Sequence, residues 1–331
     1  MTRATSQSGE FDWIARYFAP LAASYSGAFS LTDDAAVIAP APGVELVVTT
    51  DTIVAGVHYV GDEAPGLIAA KLLRVNMSDL AAKGATPRAY TLNVALPADI
   101  DDQWLEAFTE GLAQDQEYFG ITLIGGDTVG TPGPMVLSLT AFGEVPASGI
   151  VLRAAASPGD IVYVSGTIGD SALGLRIVTG DLKGLSEQGA AYLIARYQKP
   201  EPRLGILRQL SKDITLAASD VSDGLIADLG HIADASGVAM TIHADDVPLS
   251  PAARTALDRD AALRTTILTG GDDYEIAFCA PNTTVDIVQA AAKKSGVPVT
   301  AVGVVEDGVG VRVYDGRGSE IRLDRAGFTH G

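Results

Sequence analysis

The chain has 331 residues and carries 23 Lys and Arg against 41 Asp and Glu, a net charge of −18. With 47% hydrophobic and 19% charged residues it reads as globular rather than disordered, and its length suits two domains. The acidic balance excludes nucleic acid and anionic membrane as main partners, because both need exposed cations, and it invites cations instead.

Cys279 is the single cysteine, so no intrachain disulfide forms and a reducing compartment is expected. The first thirteen residues lack the apolar core of a signal peptide, and no run of about 18 apolar residues occurs. A cytoplasmic location, without membrane association, is the expectation.

From the N-terminus, Phe11, Ile14, Phe18 and Leu21 recur at helical spacing over 10–22. Val44–Val48 reads as a strand running into Thr49-Thr50-Asp51. Pro65 opens a helix that extends to Gly84, with Pro87 beyond. A strand over 90–96, a helix over 102–119 closed by Gly120, and a strand over 121–124 ending in Gly125-Gly126-Asp127 come next. Residues 135–142 alternate as a strand. Pro146, Ser148, Gly149, Ser157, Pro158 and Gly159 then cluster around Arg153 as a linker would. The domain expectation is therefore 1–146 and 147–331. In the second part, strands are expected near 160–164, 215–218, 239–243, 274–279, 299–305 and 309–314. Helices are expected at 171–178, across 194–210 with a break at Lys199-Pro200-Glu201-Pro202, and at 224–235 behind the N-cap pair Ser222-Asp223. The mixture is of α+β class.

The distinctive feature is where the aspartates fall. Three short apolar strands are expected to end in aspartate, at Asp51, Asp127 and Asp220, with Asp223 close behind the last, and Asp33-Asp34 adds a fourth junction. Strand ends present rigidly aimed, wet side chains, which suits ligand binding. Asp79 lies on a helical stripe with Leu72, Asn76 and Lys83; it is either part of the same site or one half of an exposed i,i+4 pair with Lys83. Converging carboxylates repel unless they protonate or hold cations. Oxygen donors select hard ions such as Mg²⁺ or Ca²⁺, and several Mg²⁺ ions in a carboxylate basket point to phosphate chemistry. Zinc is not expected, because Cys279 is alone and His58, His231, His243 and His330 show no ligand spacing.

Other signatures are missing. No P-loop, kinase catalytic loop or G-x-S-x-G elbow occurs. Gly166-Thr167-Ile168-Gly169-Asp170 reads as a tight strand-to-helix turn, Cys279 as a buried filler, and His231 as a packed or capping residue within a helix. His58, in the loop after Asp51, is the histidine beside the acidic motifs and a candidate substrate contact.

Taken together, these motifs resemble the thiamine-monophosphate kinase family of the aminoimidazole-ribonucleotide-synthetase-like superfamily. The matching strings are GEFDWIARYF (9–18), DDAAVI (33–38), TTDTIVAGVHY (49–59), VNMSDLAAKGATP (75–87), LIGGDT (123–128), PGDIVYVSGTIGDSALGL (158–175), SDVSDGLIADLGHI (219–232) and GGDDYEI (270–276). They fall in order along nearly the whole chain. The resemblance implies transfer of the ATP γ-phosphoryl to thiamine monophosphate, giving thiamine diphosphate, by in-line displacement without a covalent nucleophile. It implies metal ligands at Asp34, Thr49, Thr50, Asp51, Asp79, Asp127, Asp220 and Asp223, nucleotide contacts at Gly126, Asp127, Arg153 and Ser222, and substrate contacts at His58 and Asp272. It implies several Mg²⁺ ions with ATP as co-substrate, a homodimer whose N-terminal sheets form an interface barrel, and a C-terminal α+β domain that completes the active site. Two other readings stand beside it: an ATP-dependent synthetase of the same superfamily, and a non-catalytic Mg-nucleotide-binding regulator.

This chain departs from the family pattern at three places. Thr32 stands where the family has Gly before the paired aspartates, Asp272 stands for a Glu, and Arg325 stands for a Trp in the string Arg325-Ala326-Gly327-Phe328. The first leaves the phosphate chemistry in place; the last two fall on the acceptor side.

Overall fold

A computed structural model describes residues 10–323 and 325–328; His330 lies outside them. The chain divides into two compact units, 10–76 with 87–144 and 77–86 with 145–328.

The first unit opens with a short helix α1 (Glu10–Trp13), a π-helical turn over Ile14–Phe18 and a 3₁₀ turn over Ala19–Ala22. The continuous helix expected over 10–22 is thus broken. Pro20 has no N–H to donate and tightens the backbone at its own turn. The unit's sheet has the order β1-β4-β2-β3, with β1 (Val44–Val54), β2 (Thr86–Leu96), β3 (Thr122–Gly130) and β4 (Val136–Pro146). β2 and β3 run parallel, with a register slip between Tyr90 and Thr91 that passes over Ile124. The sheet is open, and no closed barrel occurs among the described residues.

Helix α2 (Pro65–Ala82) is buried from Ile68 onward on every side except at Asp79. An apolar helix of this kind belongs inside the molecule, so a carboxylate that alone breaks the burial is informative. Helix α3 (Asp102–Phe119) begins at Asp101, whose side chain accepts from the Trp104 N–H, and ends at Gly120 in the left-handed conformation. A Cβ on Gly111 of α3 would stand 2.7 Å from the Gly66 backbone of α2, so the two backbones touch here. Arg74 makes two bonds of 2.7 and 2.8 Å to the Asp115 carboxylate between these helices, which satisfies both buried charges.

The second unit is built on a six-stranded mixed sheet of order β10-β7-β9-β5-β8-β6. Its strands are β5 (Asp160–Ser165), β6 (Ala217–Asp220), β7 (Ala239–His243), β8 (Ile276–Pro281), β9 (Val299–Glu306) and β10 (Gly310–Tyr314). Side chains alternate between two cores, as the period of two requires. Val162, Val164, Ala277 and Cys279 face one core, which holds Leu173, Leu193, Leu225 and Leu229. Tyr163, Ile276, Phe278 and Ala280 face the other, with Ala81, Ala82, Leu207 and Val288. Burial pushes the Cys279 thiol up, so it fills space and does not react. The helices are α4 (Asp170–Val178), α5 (Glu187–Gln198), α6 (Ile206–Leu210), α7 (Leu225–Ser236), α8 (Pro251–Arg259), α9 (Leu263–Thr269) and α10 (Val285–Ser295). The last three lie where the sequence offers no strong signal.

One buried ion network ties this unit together. Glu275, fully buried, accepts from Arg203 Nε and Nη2 at 2.7 and 2.6 Å, from Arg196 Nη2 at 3.0 Å and from Ser165 Oγ at 2.7 Å. Removing the charge leaves the two guanidinium groups only the longer pairs to Glu201, at 3.8 and 3.4 Å. We expect Glu275→Gln to lower unfolding free energy by ~3–5 kcal/mol, measured by denaturant titration; a loss under ~1 kcal/mol would show that the network is dispensable.

Candidate active site

Two of the three strands expected to stop at aspartate do not stop there. β1 continues through Asp51 to Val54, and β3 continues through Asp127 to Gly130, because hydrogen-bonded neighbours carry each ladder onward. Only β6 ends in its aspartate, Asp220. The strand segments, and not strand ends, therefore aim Asp51 and Asp127.

In the first unit, Asp33, Asp34, Gly126 and Asp127 line one pocket of about 610 Å³. Ser30, Leu31 and Thr32 line it as well, and no Lys, Arg or His among the described residues does. Glycine is required at position 126: its φ is +154°, and a Cβ there would stand 1.8 Å from the Leu92 carbonyl oxygen of β2. The segment leading to the paired aspartates is strained. Phe29, Ser30 and Leu31 have φ of +50°, +58° and +56° in succession, a conformation that costs L-residues about 1–2 kcal/mol each. Such outliers mark functional segments held by their surroundings. Thr32, where the resemblance expects glycine, has φ −107° and needs none.

Asp51 stands elsewhere. It belongs to β1, and Asp127 to β3, the opposite edge of the four-stranded sheet. Three strand spacings, about 14 Å along the sheet, separate the two strands. Thr50 gives its hydroxyl proton to the Leu139 carbonyl and accepts from Thr140, so its side chain is engaged with β4. The Nδ1 of His58 accepts from the Val54 N–H at 3.1 Å and closes the turn after β1.

In the second unit the sequence-predicted residues gather at the C-terminal end of β6. Arg153 Nε donates to Ser219 Oγ at 3.2 Å, next to the buried Asp220. Lys83, after the end of α2, reaches the Ala218 carbonyl on the same strand. The reading of Asp79 and Lys83 as a solvated surface pair does not hold, since both are half-buried.

The loop Ser222-Asp223-Gly224 follows. Its three backbone N–H groups, at 3.0, 3.0 and 3.2 Å, all point at one oxygen of Asp228, a buried carboxylate in the first turn of α7. Sequence reasoning missed Asp228, although a carboxylate in a helix first turn is a recognisable signal. Burial, and then the Asp223 charge, raise its pKa to about 7, against the pull of those N–H groups. His231 is exposed, contrary to the packed reading, and offers a nitrogen within 4.8 Å of the Asp223 and Asp228 carboxylates.

Segment 270–275 zips onto this loop. Asp272 N–H donates to the Ser222 carbonyl and Tyr274 N–H to that of Val221, both at 2.8 Å. Asp272 and Tyr274 take φ of +71° and +51°, and the Tyr274 hydroxyl bonds Asp272 Oδ1 at 3.2 Å. The strand expected from 274 starts only at Ile276, because Tyr274 leaves the extended region. Phe328 docks its N–H on the Asp223 carbonyl at 2.9 Å and leaves its ring half exposed, so an aromatic group does stand beside the loop in the string that lacks Trp.

The chemistry of the donor set fits hard divalent cations: carboxylates and hydroxyls, with no cationic side chain among the described residues that line the pocket of the first unit.

Residues 32–145 match the family "AIR synthase related protein, N-terminal domain" and residues 157–316 its C-terminal domain, so the fold is that of an AIR-synthase-related protein. A thiamine-monophosphate kinase from Caulobacter vibrioides is 44% identical over 97% of this chain and 91% of its own. The crystal structure of thiamine-monophosphate kinase from Stenotrophomonas maltophilia K279a superposes with a TM-score of 0.79 at 42% identity, covering 86% of this chain and 89% of that one. AaThiL complexed with AMPPCP and TMP superposes with a TM-score of 0.77 at 27% identity over the full length of both chains. The chain belongs to the thiamine-monophosphate kinase family.

Asp273, the neighbour of Asp272, supplies a pH test of this region. Its buried carboxyl accepts from the Gly169 and Ser171 N–H groups at the start of α4, and burial raises its pKa to about 8. The folded value exceeds the unfolded one of about 3.9. The contribution is full below pH ~4 and is lost as pH rises toward 8. Asp273→Asn should flatten the fall of melting temperature between pH 5 and 8; parallel wild-type and variant curves would contradict the assignment.

Proposed function

We propose that the chain transfers the γ-phosphoryl group of ATP to thiamine monophosphate, yielding thiamine diphosphate and ADP. One observation carries this reading: a pocket lined by Asp33, Asp34, Gly126 and Asp127, without a cationic side chain among the described residues, in a chain of this family. Such a lining repels phosphates unless cations intervene, so the substrate must arrive with its cations.

The residues that would hold Mg²⁺ are Asp34, Thr49, Thr50, Asp51 and Asp127 in the first unit and Asp79, Asp220 and Asp223 in the second. Thr50 would offer its backbone oxygen, since its hydroxyl is engaged. When bound, Mg²⁺ supplies charge neutralisation and orientation for in-line transfer. The chain's own part is positioning. Gly126 keeps β3 close against β2 at the pocket wall, Arg153 offers a guanidinium suited to phosphate, and Ser222 presents a hydroxyl on a loop fixed by Asp228. His58, Asp272 and the Phe328 ring are assigned to the acceptor. No general base is required, because the acceptor phosphate has a second pKa of ~6 and is already an anion at neutral pH. No covalent intermediate forms. A synthetase-type reading fits less well, since the relatives identical at 39–44% are thiamine-monophosphate kinases.

The same reading includes a homodimer. β1 and β3 are open edges of eleven and nine residues, and they leave Leu46, Val48 and Val129 exposed. Long apolar edges of this kind are normally covered. A second copy closing the sheet into a barrel covers them, and it places Asp51 of one copy beside Asp127 of the other, which a single sheet holds at opposite edges.

The test uses two inactive variants. Asp51→Asn and Asp127→Asn should each lose turnover of thiamine monophosphate by at least ~100-fold. Refolded together they should recover roughly a quarter of wild-type turnover, because half of randomly paired dimers contain one intact shared site. Absence of recovery would place both aspartates of each site on one chain. Near-wild-type turnover of either variant alone would remove the metal assignment.

A further inference from the structure

Lys83 is the charged group near the site that the mechanism above does not use. Its backbone is fixed: the N–H donates to the Asp79 and Leu80 carbonyls, and its carbonyl accepts from the Val151 N–H. Its ammonium reaches the Ala218 carbonyl at 3.4 Å. Ala218 stands two residues before Asp220 on β6, and Ser219, between them, holds the Arg153 guanidinium at 3.2 Å. Asp79 lies four residues before Lys83 along the same helical face, where it alone breaks the burial of α2. Two cations and two carboxylates thus face one strand end.

The ammonium's electrostatics match this placement. Burial, followed by the Arg153 charge, moves its pKa down, and the Asp220 and Asp79 carboxylates oppose that. A half-buried ammonium on a stem this constrained cannot swing out to join bulk solvent without losing its packing.

We infer that Lys83 is a fixed cation of the site, set against Asp220 and Asp79, and that it sets how tightly this pair takes up a divalent metal ion. The inference rests on the reading that Asp79 and Asp220 hold Mg²⁺. A resident positive charge beside a divalent ion repels it and competes for its carboxylates; for a separation of about 6 Å the effect is on the order of tenfold in affinity even at the dielectric constant of water. The consequence is a metal that enters with the nucleotide and leaves with it, rather than one held permanently. Lys83 is a positioning residue in this sense, since it acts through the carboxylates.

The experiment compares wild type, Lys83→Met and Lys83→Arg as full chains. Mn²⁺ binding is read by electron paramagnetic resonance without nucleotide, and turnover is read against Mg²⁺ concentration. Lys83→Met should bind Mn²⁺ about tenfold tighter and reach half-maximal turnover at lower Mg²⁺, whereas Lys83→Arg should follow wild type. Lys83→Gln carries the same expectation should the Met variant not fold. If wild type binds Mn²⁺ and the Met or Gln variant gives the same affinity and the same Mg²⁺ curve, the inference is overturned while the metal reading stands. If wild type itself binds no Mn²⁺ and turns over without Mg²⁺, the metal reading falls and takes this inference with it.

Discussion

An anionic site that receives anionic substrates needs cations between them. This one constraint organises the molecule. The chain carries a net charge of −18, and its first unit presents Asp33, Asp34 and Asp127 in a pocket with no lysine, arginine or histidine among the described residues on its walls. Fixed guanidinium and ammonium groups appear instead in the second unit, at the end of β6. Acidic groups stand in both units, with fixed cations beside them at β6 in the second, and each part is built to hold its groups still.

How they are held still is a matter of backbone chemistry. Asp228 gathers three N–H groups on one oxygen and fixes the loop of Ser222 and Asp223. Glu275 anchors the segment behind Asp272 through two arginines, and Asp273 ties the same segment to the start of α4. Left-handed backbone at residues 29–31, 272 and 274 falls next to the groups assigned to ligand binding. The surrounding core supplies the stability that these strained segments lack. In the string GGDDYE, two of the three acids are therefore structural supports, and Asp272 alone is half-exposed.

Much of this was legible in the sequence. Helix α3 matches its expected span of 102–119, since Asp101 caps its start and Gly120 ends it. The aspartates of the site were visible as a set because so many fall beside apolar runs. Other features were not legible, for physical reasons. Strands β1 and β3 run on through Asp51 and Asp127 because neighbouring strands, not local propensity, decide where a ladder stops. Strand order is a long-range property, so nothing local showed that Asp51 and Asp127 occupy opposite edges. The π and 3₁₀ turns near Pro20 replaced an expected helix. Lys83 meets β6 only through the tertiary fold, whereas the bonds of Asp228 are local and its place in a helix first turn is a readable signal.

The central claim is that cations stand between this protein and its phosphates. Calorimetric titration of the wild-type chain with AMPPCP, at fixed ionic strength, tests it most directly. The account predicts saturable binding in the presence of Mg²⁺ and no detectable binding once the metal is chelated. Equal affinity in both buffers would contradict it, because the acidic pocket would then accept a bare polyanion.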